Sequence, residues 1–377
     1  MSLSGCRCGF VNESAPRVIL KSQTRDAVPF LSIGDVDQLF RHLRDFIEDL
    51  YFRYMAVNPR DRKVVIVESV FCPTRFRLTL AKVLFHYFDV PGIVVVPGHL
   101  MALNTLISST ALVVDAGYTE CSVTPVIEGV TVLDAVHFQA LAGKAVHHRI
   151  REELIASKAT ISRLGQDYIF DKSAIDHLSE SVVEDIKVRT CFVPSYDRGQ
   201  ELIEAKVRST DASIGSPPHV LYPLQGQSIL TIPGIVRESA YQVLFELVGN
   251  ESTIATMILD AISFTPIDSR RALASNIVLI GGTVMAPGLW KRLSDELKNL
   301  AETCPKYMDK IRFKDFKFHT LPCPANYASW LGSAIYGSTD AMVNKTITSK
   351  EFDQSRGLVL SDWSNWWPTP RPARIEY

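Results

Sequence analysis

Apolar residues between positions 63 and 117 occur in two kinds of run. Short continuous apolar runs that end at polar, Pro or Gly residues predict buried strands at Lys63–Ser69, Gly92–Pro97 and Thr110–Gly117. Longer stretches with apolar residues at helical spacing predict helices at Arg75–Phe88 and His99–Ser109. This alternation of strands and helices predicts a mostly parallel sheet that is covered by helices.

The same pattern returns near position 270. An apolar strand is predicted at Asn276–Gly282, and a helix follows at Ala286–Ala301. Each of the two α/β units therefore contains a strand that ends in a glycine-containing turn, at Asp115–Gly117 and at Gly281–Thr283. Ligands of open α/β sheets bind at the carboxyl ends of strands, where backbone N–H groups and helix N-termini can hold anions. The two turns are the candidate binding elements.

Composition and charge narrow the class of protein. The 377 residues exceed one ordinary domain, since domains average roughly 150 residues. The 40 basic and 41 acidic residues leave a net charge of -1, so no global field attracts nucleic acid or an anionic membrane. No window reaches the ~20 apolar residues that a membrane span needs, and the N-terminus lacks the apolar segment of a signal peptide. We expect a soluble intracellular protein with no nucleic-acid partner and no membrane insertion.

The cysteines are odd in number and scattered along the chain, which is typical of a reducing cytosol. The seven are Cys6, Cys8, Cys72, Cys121, Cys191, Cys304 and Cys323. Cys6 and Cys8 could suggest a metal site, but one residue separates them and no second Cys or His pair lies nearby. We expect free thiols and no zinc.

The Asp115–Gly117 turn has the chemistry of a phosphate and metal site. Gly lets the backbone approach phosphate oxygens, and a carboxylate can hold Mg²⁺ through water. Asp-x-Gly is common in turns, however, so the motif alone favours a structural turn.

Longer stretches change this interpretation, because they resemble segments of the actin family. Leu112–Ile150 resembles the second phosphate-binding segment of that family, and Val278–Leu293 resembles its adenosine segment. Four further matches keep the family order: the second half of the first phosphate segment at Cys8–Ser22, the segment with the adenine-side lysine at 182–193, the second hinge at Asn326–Gly337 and the terminal helix at Thr348–Gly357. The resemblance covers nearly the whole chain.

The resemblance implies an actin-like, ribonuclease-H-like α/β fold with two duplicated domains around a central cleft. It assigns residues 1–109 and 327–377 to the small domain and residues 110–326 to the large one. It also implies a shortened N-terminus, since most of the first phosphate hairpin is missing. The outer lobe is expected to be reduced, because only Gln23–Arg62 remain there and they predict one amphipathic helix at Val36–Met55.

The implied ligand is ATP or ADP with Mg²⁺. By resemblance, Asp115 and Gly117 lie by the phosphates, with Asp115 holding the metal indirectly, Gly143 and Lys144 lie on the ribose side, and Lys187 lies beside adenine. The residues implied around the nucleoside are Gly281, Gly282, Thr283 and Met285. Structural alternatives remain for each, as tight turns for the glycines and a solvated helix face for Lys187.

Departures from the family pattern argue against hydrolysis. Tyr118 replaces an acidic residue of the family, Ser122 replaces a histidine near the attacking water, and His99 aligns near the water-orienting glutamine. Val188 and Asn326 replace two nucleoside contacts. His99 could polarise a water, but its place at a helix start favours a structural role. We expect no catalytic residue and negligible ATP turnover.

Within the family, Tyr51–Leu103 most resembles an actin-related subunit of dynactin. This implies a structural protein of the cytoplasm and cytoskeleton that caps the pointed end of the actin-like filament and supports dynein-driven, microtubule-based movement. The implied partners are the filament subunits centractin and actin and the other pointed-end subunits. Candidate contacts are the apolar face of the Val36–Met55 helix and the Trp-rich tail after Gly357. Two alternatives remain open: an actin-related subunit of a nuclear chromatin-remodelling complex, and an active ATPase or sugar kinase of the same superfamily.

Overall fold

A computed structural model describes most of the chain, namely residues 5–21, 29–106, 108–172, 178–208, 215–224, 226, 228–247, 252–357 and 360. The chain forms two compact units, one from residues 1–109 and 321–377 and the other from residues 110–320. It thus returns to the first unit at Leu321, earlier in the chain than the Tyr327 boundary that the sequence predicts. Within the described ranges, no helix has both the length and the apolar character needed to cross a bilayer.

The described residues of the first unit form two small sheets. Strand β1 (Cys6–Cys8) pairs antiparallel with β2 (Val18–Leu20). Strand β3 (Val64–Glu68) pairs parallel with β4 (Ile93–Pro97). The two strands predicted for residues 63–97 are confirmed, and both continue to the polar or proline residue that ends each apolar run.

Helix α1 (Val36–Glu48) begins at Asp35, whose carboxylate accepts hydrogen bonds from the backbone N–H groups of Asp37 and Gln38. The helical path continues through Asp49–Met55 with wider, π-type turns. One stripe of this segment is buried in the core of its own unit, namely Leu39, Leu43, Ile47, Tyr51 and Met55. The prediction that this apolar face is a partner contact is therefore wrong, because residues spaced by one helical turn form a single stripe and that stripe is already covered.

Helix α2 (Thr74–Lys82) continues through Val83–Tyr87, and the short helix α3 (Gly98–Leu103) follows β4. Helix α3 ends at Leu103, whereas the sequence pattern predicts that it ends at Ser109. Phe76, Leu80 and Phe85 pack with the buried stripe of α1, so α1 and α2 share one core.

The second unit is built around β5 (Ala111–Ala116). Strand β6 (Cys121–Ile127) pairs antiparallel with β5, and β7 (Val130–Thr131) and β8 (His137–Gln139) both pair antiparallel with β6. The prediction that β3, β4 and β5 form one parallel sheet is wrong. Periodicity identifies a buried strand without identifying its neighbour, and β5 has its neighbours in the second unit.

Helix α4 (Gly143–Ala156) leads to a second sheet of this unit, which consists of β9 (Thr160–Arg163), β10 (Gln166–Ile169), β11 (Val220–Pro223) and β12 (Ser228–Ile232). The strands lie in the order β10, β9, β12, β11, and all of their pairings are antiparallel. The helices between β10 and the next core strand are α5 Glu180–Thr190, α6 Tyr196–Arg208, α7 Gly234–Ser239, α8 Ile254–Phe264 and α9 Ile267–Ala274.

Strand β13 (Ile277–Ile280) completes the first sheet by pairing parallel with β5. Helices α10 (Leu289–Thr303) and α11 (Pro305–Met308) follow it. The chain then returns to the first unit, where its described residues form the helices α12 Ala328–Gly337, α13 Asp340–Asn344 and α14 Ser349–Gln354. The predicted adenosine segment is thus a buried strand followed by a turn and a helix, and its strand lies next to the strand of the Asp115 turn.

Candidate functional site

The two predicted binding turns lie side by side at the carboxyl ends of β5 and β13. Asp115 is opposite Ile280 in the parallel register, so Gly281 comes directly beside the end of β5. Gly281 has a φ of 99°, and a Cβ placed there would lie 2.2 Å from the carbonyl oxygen of Ala116 and 3.0 Å from a carboxylate oxygen of Asp115. Only glycine fits this position, because both the backbone conformation and the close approach exclude a side chain.

The N-terminus of α4 closes onto the Asp115 turn. The N–H of Gly143 donates to the carbonyl oxygen of Gly117 at 3.2 Å, and the N–H of Lys144 donates to that of Tyr118 at 2.6 Å. The hydroxyl of Thr283 also donates to the Gly117 carbonyl, at 2.6 Å. The structure therefore brings Gly117, Gly143, Lys144 and Thr283 together, but the backbone donors at the start of α4 already have partners within the protein.

The nucleoside-side residues are more open. A Cβ at Gly282 would meet no atom within 4 Å, and the Met285 side chain is 49% exposed. Met285 borders an open depression of about 370 Å³, whose other lining residues are Val284, Ala286, Gly288, Trp290 and Lys291. This side of the candidate site has room for a ligand that the start of α4 does not offer.

Lys187 has its own carboxylate partner. Its side chain is buried in α5, with the residue only 5% exposed, which excludes the alternative of a solvated helix face. Its Nζ lies 2.6 Å from Oε2 of Glu184, one turn earlier on the same helix. Glu180 lies one turn earlier again, so α5 presents two carboxylates and an ammonium along one face.

Hydrogen bonds hold both glutamates in the charged form. Burial opposes ionisation of Glu184, but hydrogen bonds from His147 and Lys187 outweigh it and lower its pKa to about 2. Burial also opposes ionisation of Glu180, whereas hydrogen bonds from Tyr118 and His147 lower its pKa to about 2. Burial, together with the hydrogen bond to Glu180, raises the pKa of Tyr118.

His147 lies between the two carboxylates and is only 1% exposed. Its Nδ1 is 2.7 Å from Oε2 of Glu180, and its Nε2 is 2.8 Å from Oε2 of Glu184. Both ring nitrogens of His147 therefore face carboxylate oxygens, which accept hydrogen bonds when ionised. Arg151 adds a further contact to Glu180 at 2.8 Å. The result is a partly exposed cluster of polar and charged side chains that joins α4 to α5. We call it the charge cluster and define it as Glu180, Glu184, His147, Lys187 and Arg151.

The sequence predicts Lys187 as a site residue but misses the other members of the charge cluster. Glu180, Glu184 and Lys187 recur at helical spacing, which is a detectable signal for neighbouring charges on one face. His147 lies on another helix, 33 residues from Glu180, and no local pattern connects the two.

The residues that depart from the family pattern have structural settings. His99 is the second residue of α3 and is buried, and burial lowers its pKa to about 4, so it is neutral at pH 7. Ser122 lies opposite Asp115 across the β5–β6 pair, and Val188 points to solvent from α5. A buried histidine at a helix start supports the structural interpretation of His99.

Comparison with known proteins adds the relationship of this chain to a family. Residues 40–360 match the family model described as Actin. The chain is similar to Actin-related protein 10 of Dictyostelium discoideum, with 28% identity over 423 aligned residues. That alignment covers 95% of this chain and 86% of the relative.

Proposed function

The chain belongs to the actin family, and we propose that it is a structural subunit of dynactin and not an enzyme. In this role it caps the pointed end of the actin-like filament and supports dynein-driven transport along microtubules, in the cytoplasm and cytoskeleton. Support comes from the dynactin-like sequence of Tyr51–Leu103 and from the similarity to a relative named Actin-related protein 10.

The observation that carries the capping proposal is the packing of the segment between β2 and β3. In actin-like subunits the outer lobe at this place extends toward the neighbouring subunit on the pointed side. The described part of the segment, residues 29–63, contains helical elements and no strand. The apolar stripe of α1 is also buried within its own unit. A subunit with so small a lobe docks through its opposite side and offers an incomplete surface to the next subunit.

The proposed partners follow from this arrangement. Centractin and actin subunits of the filament contact the docked side, and the other pointed-end dynactin subunits contact the free side. On the second part of the α1 segment, Phe52 is 60% exposed and Tyr54 is also exposed, so these aromatic residues replace the buried stripe as candidate contacts. The predicted Trp-rich tail, with Trp363, Trp366 and Trp367, lies outside the described residues.

Depletion of this chain from cells tests the assignment. We expect purified dynactin to lose its other pointed-end subunits and its filament to change in length. The proposal is wrong if those subunits remain attached and filament length is unchanged. Re-expression of the wild type or of the double variant Phe52→Ser, Tyr54→Ser distinguishes the contact with the filament from the contact with the free-side subunits. We expect the variant to restore filament length without restoring binding of the free-side subunits.

Nucleotide binding is a separate part of the proposal: we propose weak binding of ATP or ADP with Mg²⁺ and no hydrolysis. The structure fits such a ligand only in part. The depression beside Met285 has room, and Asp115 has the chemistry to hold Mg²⁺ through water. The N–H groups of Gly143 and Lys144, in contrast, already donate to backbone carbonyls, and Lys187 is neutralised by Glu184.

Calorimetric titration of the purified chain with ATP and ADP tests this second part, together with a phosphate-release assay. We expect weak binding that Asp115→Ala weakens further, and release at the level of a blank without protein. Steady ATP hydrolysis that Asp115→Ala abolishes would contradict it. Neither result bears on the capping proposal, which the depletion experiment tests.

A further inference from the structure

Two cysteine thiols are in contact on strand β1. Cys6 and Cys8 are separated by one residue, so the alternation of side chains along a strand places them on the same face. Their Sγ atoms lie 3.2 Å apart, and both thiols are free. Cys6 is only 4% exposed, whereas Cys8 is partly exposed.

The surrounding structure holds the pair in place. Cys6 is opposite Leu20 and Cys8 is opposite Val18 in the antiparallel pairing with β2. A Cβ at the next residue, Gly9, would lie 2.5 Å from the indole ring of Trp330, so the end of β1 is packed directly against this ring. Tyr51 lies in the same buried surroundings, and burial raises the pKa of its phenol to about 12.

The contact between the two sulfurs shifts the pKa values of the two thiols in opposite directions. The hydrogen bond from the Cys8 thiol lowers the pKa of Cys6, against the effect of burial. The same hydrogen bond, together with burial, raises the pKa of Cys8. The contact therefore favours the thiolate, the nucleophilic form of cysteine, at Cys6 over Cys8, which keeps its proton.

We propose that Cys6 and Cys8 form a reversible oxidation site that reacts with hydrogen peroxide and closes to a disulfide. The Cys6 thiolate attacks one peroxide oxygen, the O–O bond breaks, and the departing hydroxide takes a proton to become water. Cys6 is then a sulfenic acid. The Cys8 sulfur attacks the Cys6 sulfur, the S–O bond breaks, and hydroxide leaves with the Cys8 proton as a second water. Two thiols and one peroxide give one disulfide and two waters, and two electrons pass from sulfur to oxygen.

Strand geometry makes this disulfide easy to reduce. Residues two apart in an extended strand have Cα atoms roughly 6.4–6.8 Å apart, at the upper limit of the range that disulfides span. Closing the bond therefore shortens β1 and disturbs the pairing of Arg7 with Ile19. A strained disulfide has a more oxidising potential and returns readily to the dithiol.

Peptide mapping of the purified full chain gives a direct test, because trypsin cleaves after Arg7, between the two cysteines. The protein is treated with hydrogen peroxide, free thiols are alkylated, and the digest is analysed by mass spectrometry. We expect Met1–Arg7 and Cys8–Arg17 to remain joined as one species, which dithiothreitol separates into two. Two separate peptides with both cysteines alkylated, or a cross-link from either cysteine to another position, would overturn the proposal.

One variant and one internal comparison sharpen this test. Cys8→Ser removes the resolving thiol, so we expect peroxide to leave a Cys6 sulfenic acid that dimedone traps, and absence of the dimedone adduct would count against Cys6 as the attacking thiol. Cys72 is the internal comparison within the same unit, since burial raises its pKa to about 12. Loss of half the free Cys6 should require roughly tenfold less peroxide than loss of half the free Cys72. Equal sensitivity of the two cysteines would also overturn the proposal.

Discussion

The ammonium of Lys187 lies 2.6 Å from a carboxylate oxygen of Glu184, and the same oxygen faces His147 at 2.8 Å. Lys187 is the residue that the family resemblance places beside adenine. A lysine that is buried and already paired contributes less positive charge to a ligand than a free one. The same contacts tie α4 to α5, so the charge cluster has a structural role whether or not a nucleotide binds.

Removal of the central carboxylate should destabilise the second unit. In Glu184→Gln the side chain keeps its shape but loses its charge, and the buried ammonium of Lys187 loses its counter-ion. Because Glu184 is half-exposed, water screens part of this loss, and we expect a decrease in the free energy of unfolding of about 1–2 kcal/mol. Urea denaturation measures it.

Glu152→Gln is the matched control on α4. Glu152 is exposed and lies 3.4 Å from the exposed His148. It also lies 3.9 Å from the guanidinium of Arg149, which keeps its shorter contact with Glu246 when Glu152 is replaced. An exposed pair of this kind should contribute within about 0.5 kcal/mol. If Glu152→Gln and Glu184→Gln lower the free energy of unfolding by the same amount, the charge cluster has no special role in stability.

The charge cluster also predicts a dependence of stability on pH. The pKa values of Glu180 and Glu184 are lowered to about 2, below the usual value of 4.5 that each carboxyl has when unfolded. A carboxyl whose folded-state pKa is depressed stabilises the protein above the unfolded pKa, and this contribution is lost as the pH falls toward the folded pKa. The stabilising effect should therefore be complete at pH 7 and decline from about pH 5 downward.

A double variant isolates this effect. Glu180→Gln, Glu184→Gln cannot titrate at these positions, so its deficit in unfolding free energy relative to the wild type should be largest near pH 7 and should narrow between about pH 5 and pH 3. Denaturant midpoints measured at each pH provide the comparison. A deficit that is constant, or that widens with acidity, contradicts the assigned shifts.

Alanine substitutions at the neighbouring residues Gly281 and Gly282 test the backbone geometry of this turn. Gly281→Ala places a Cβ at positive φ and 2.2 Å from a backbone oxygen, so we expect a loss of about 2–4 kcal/mol in unfolding free energy. Gly282 has a φ of -75° and open space around it. Gly282→Ala should be neutral or stabilise by up to about 1 kcal/mol. Thermal denaturation of both variants checks this, and similar losses in the two would refute the geometry of the turn.

The sequence predicts the local elements of this fold better than their pairing. Val64–Glu68 and Ile93–Pro97 are predictable because a buried strand needs a continuous apolar run. The partner of β5 is not predictable in this way, since the same run is compatible with any neighbouring strand. The stripe of α1 shows a related limit, because amphipathic spacing indicates that one face is covered without indicating what covers it.

The same distinction applies to the candidate site. The glycine turns at Gly117 and Gly281 carry a backbone signal that is local in sequence, and the structure places them at neighbouring strand ends. The charge cluster depends on the contact of His147 with α5. These segments are distant in the chain, so the contact produces no periodic pattern in the sequence. The S–S contact of Cys6 and Cys8 lies between these cases, since strand alternation predicts a shared face but not a 3.2 Å separation.

The packing of α12 on α3 gives a final prediction for the first unit. A Cβ at Gly332 would lie 1.6 Å from the carbonyl oxygen of Met101, so the two helices meet backbone to backbone. Gly332→Ala gains about 0.5–1 kcal/mol from the better helix propensity of alanine, but the clash is with backbone and costs about 1–3 kcal/mol or more. We expect the clash to outweigh the gain in helix propensity. The substitution should then increase amide hydrogen exchange more in α3 and α12 than in β5 and β13. Gly337→Ala is the control, because its Cβ would meet side-chain atoms of Val11 at 2.8 Å and Val65 at 3.6 Å and no backbone atom. If exchange rises equally in both variants, or equally in both units, the close packing of α3 and α12 is not the cause.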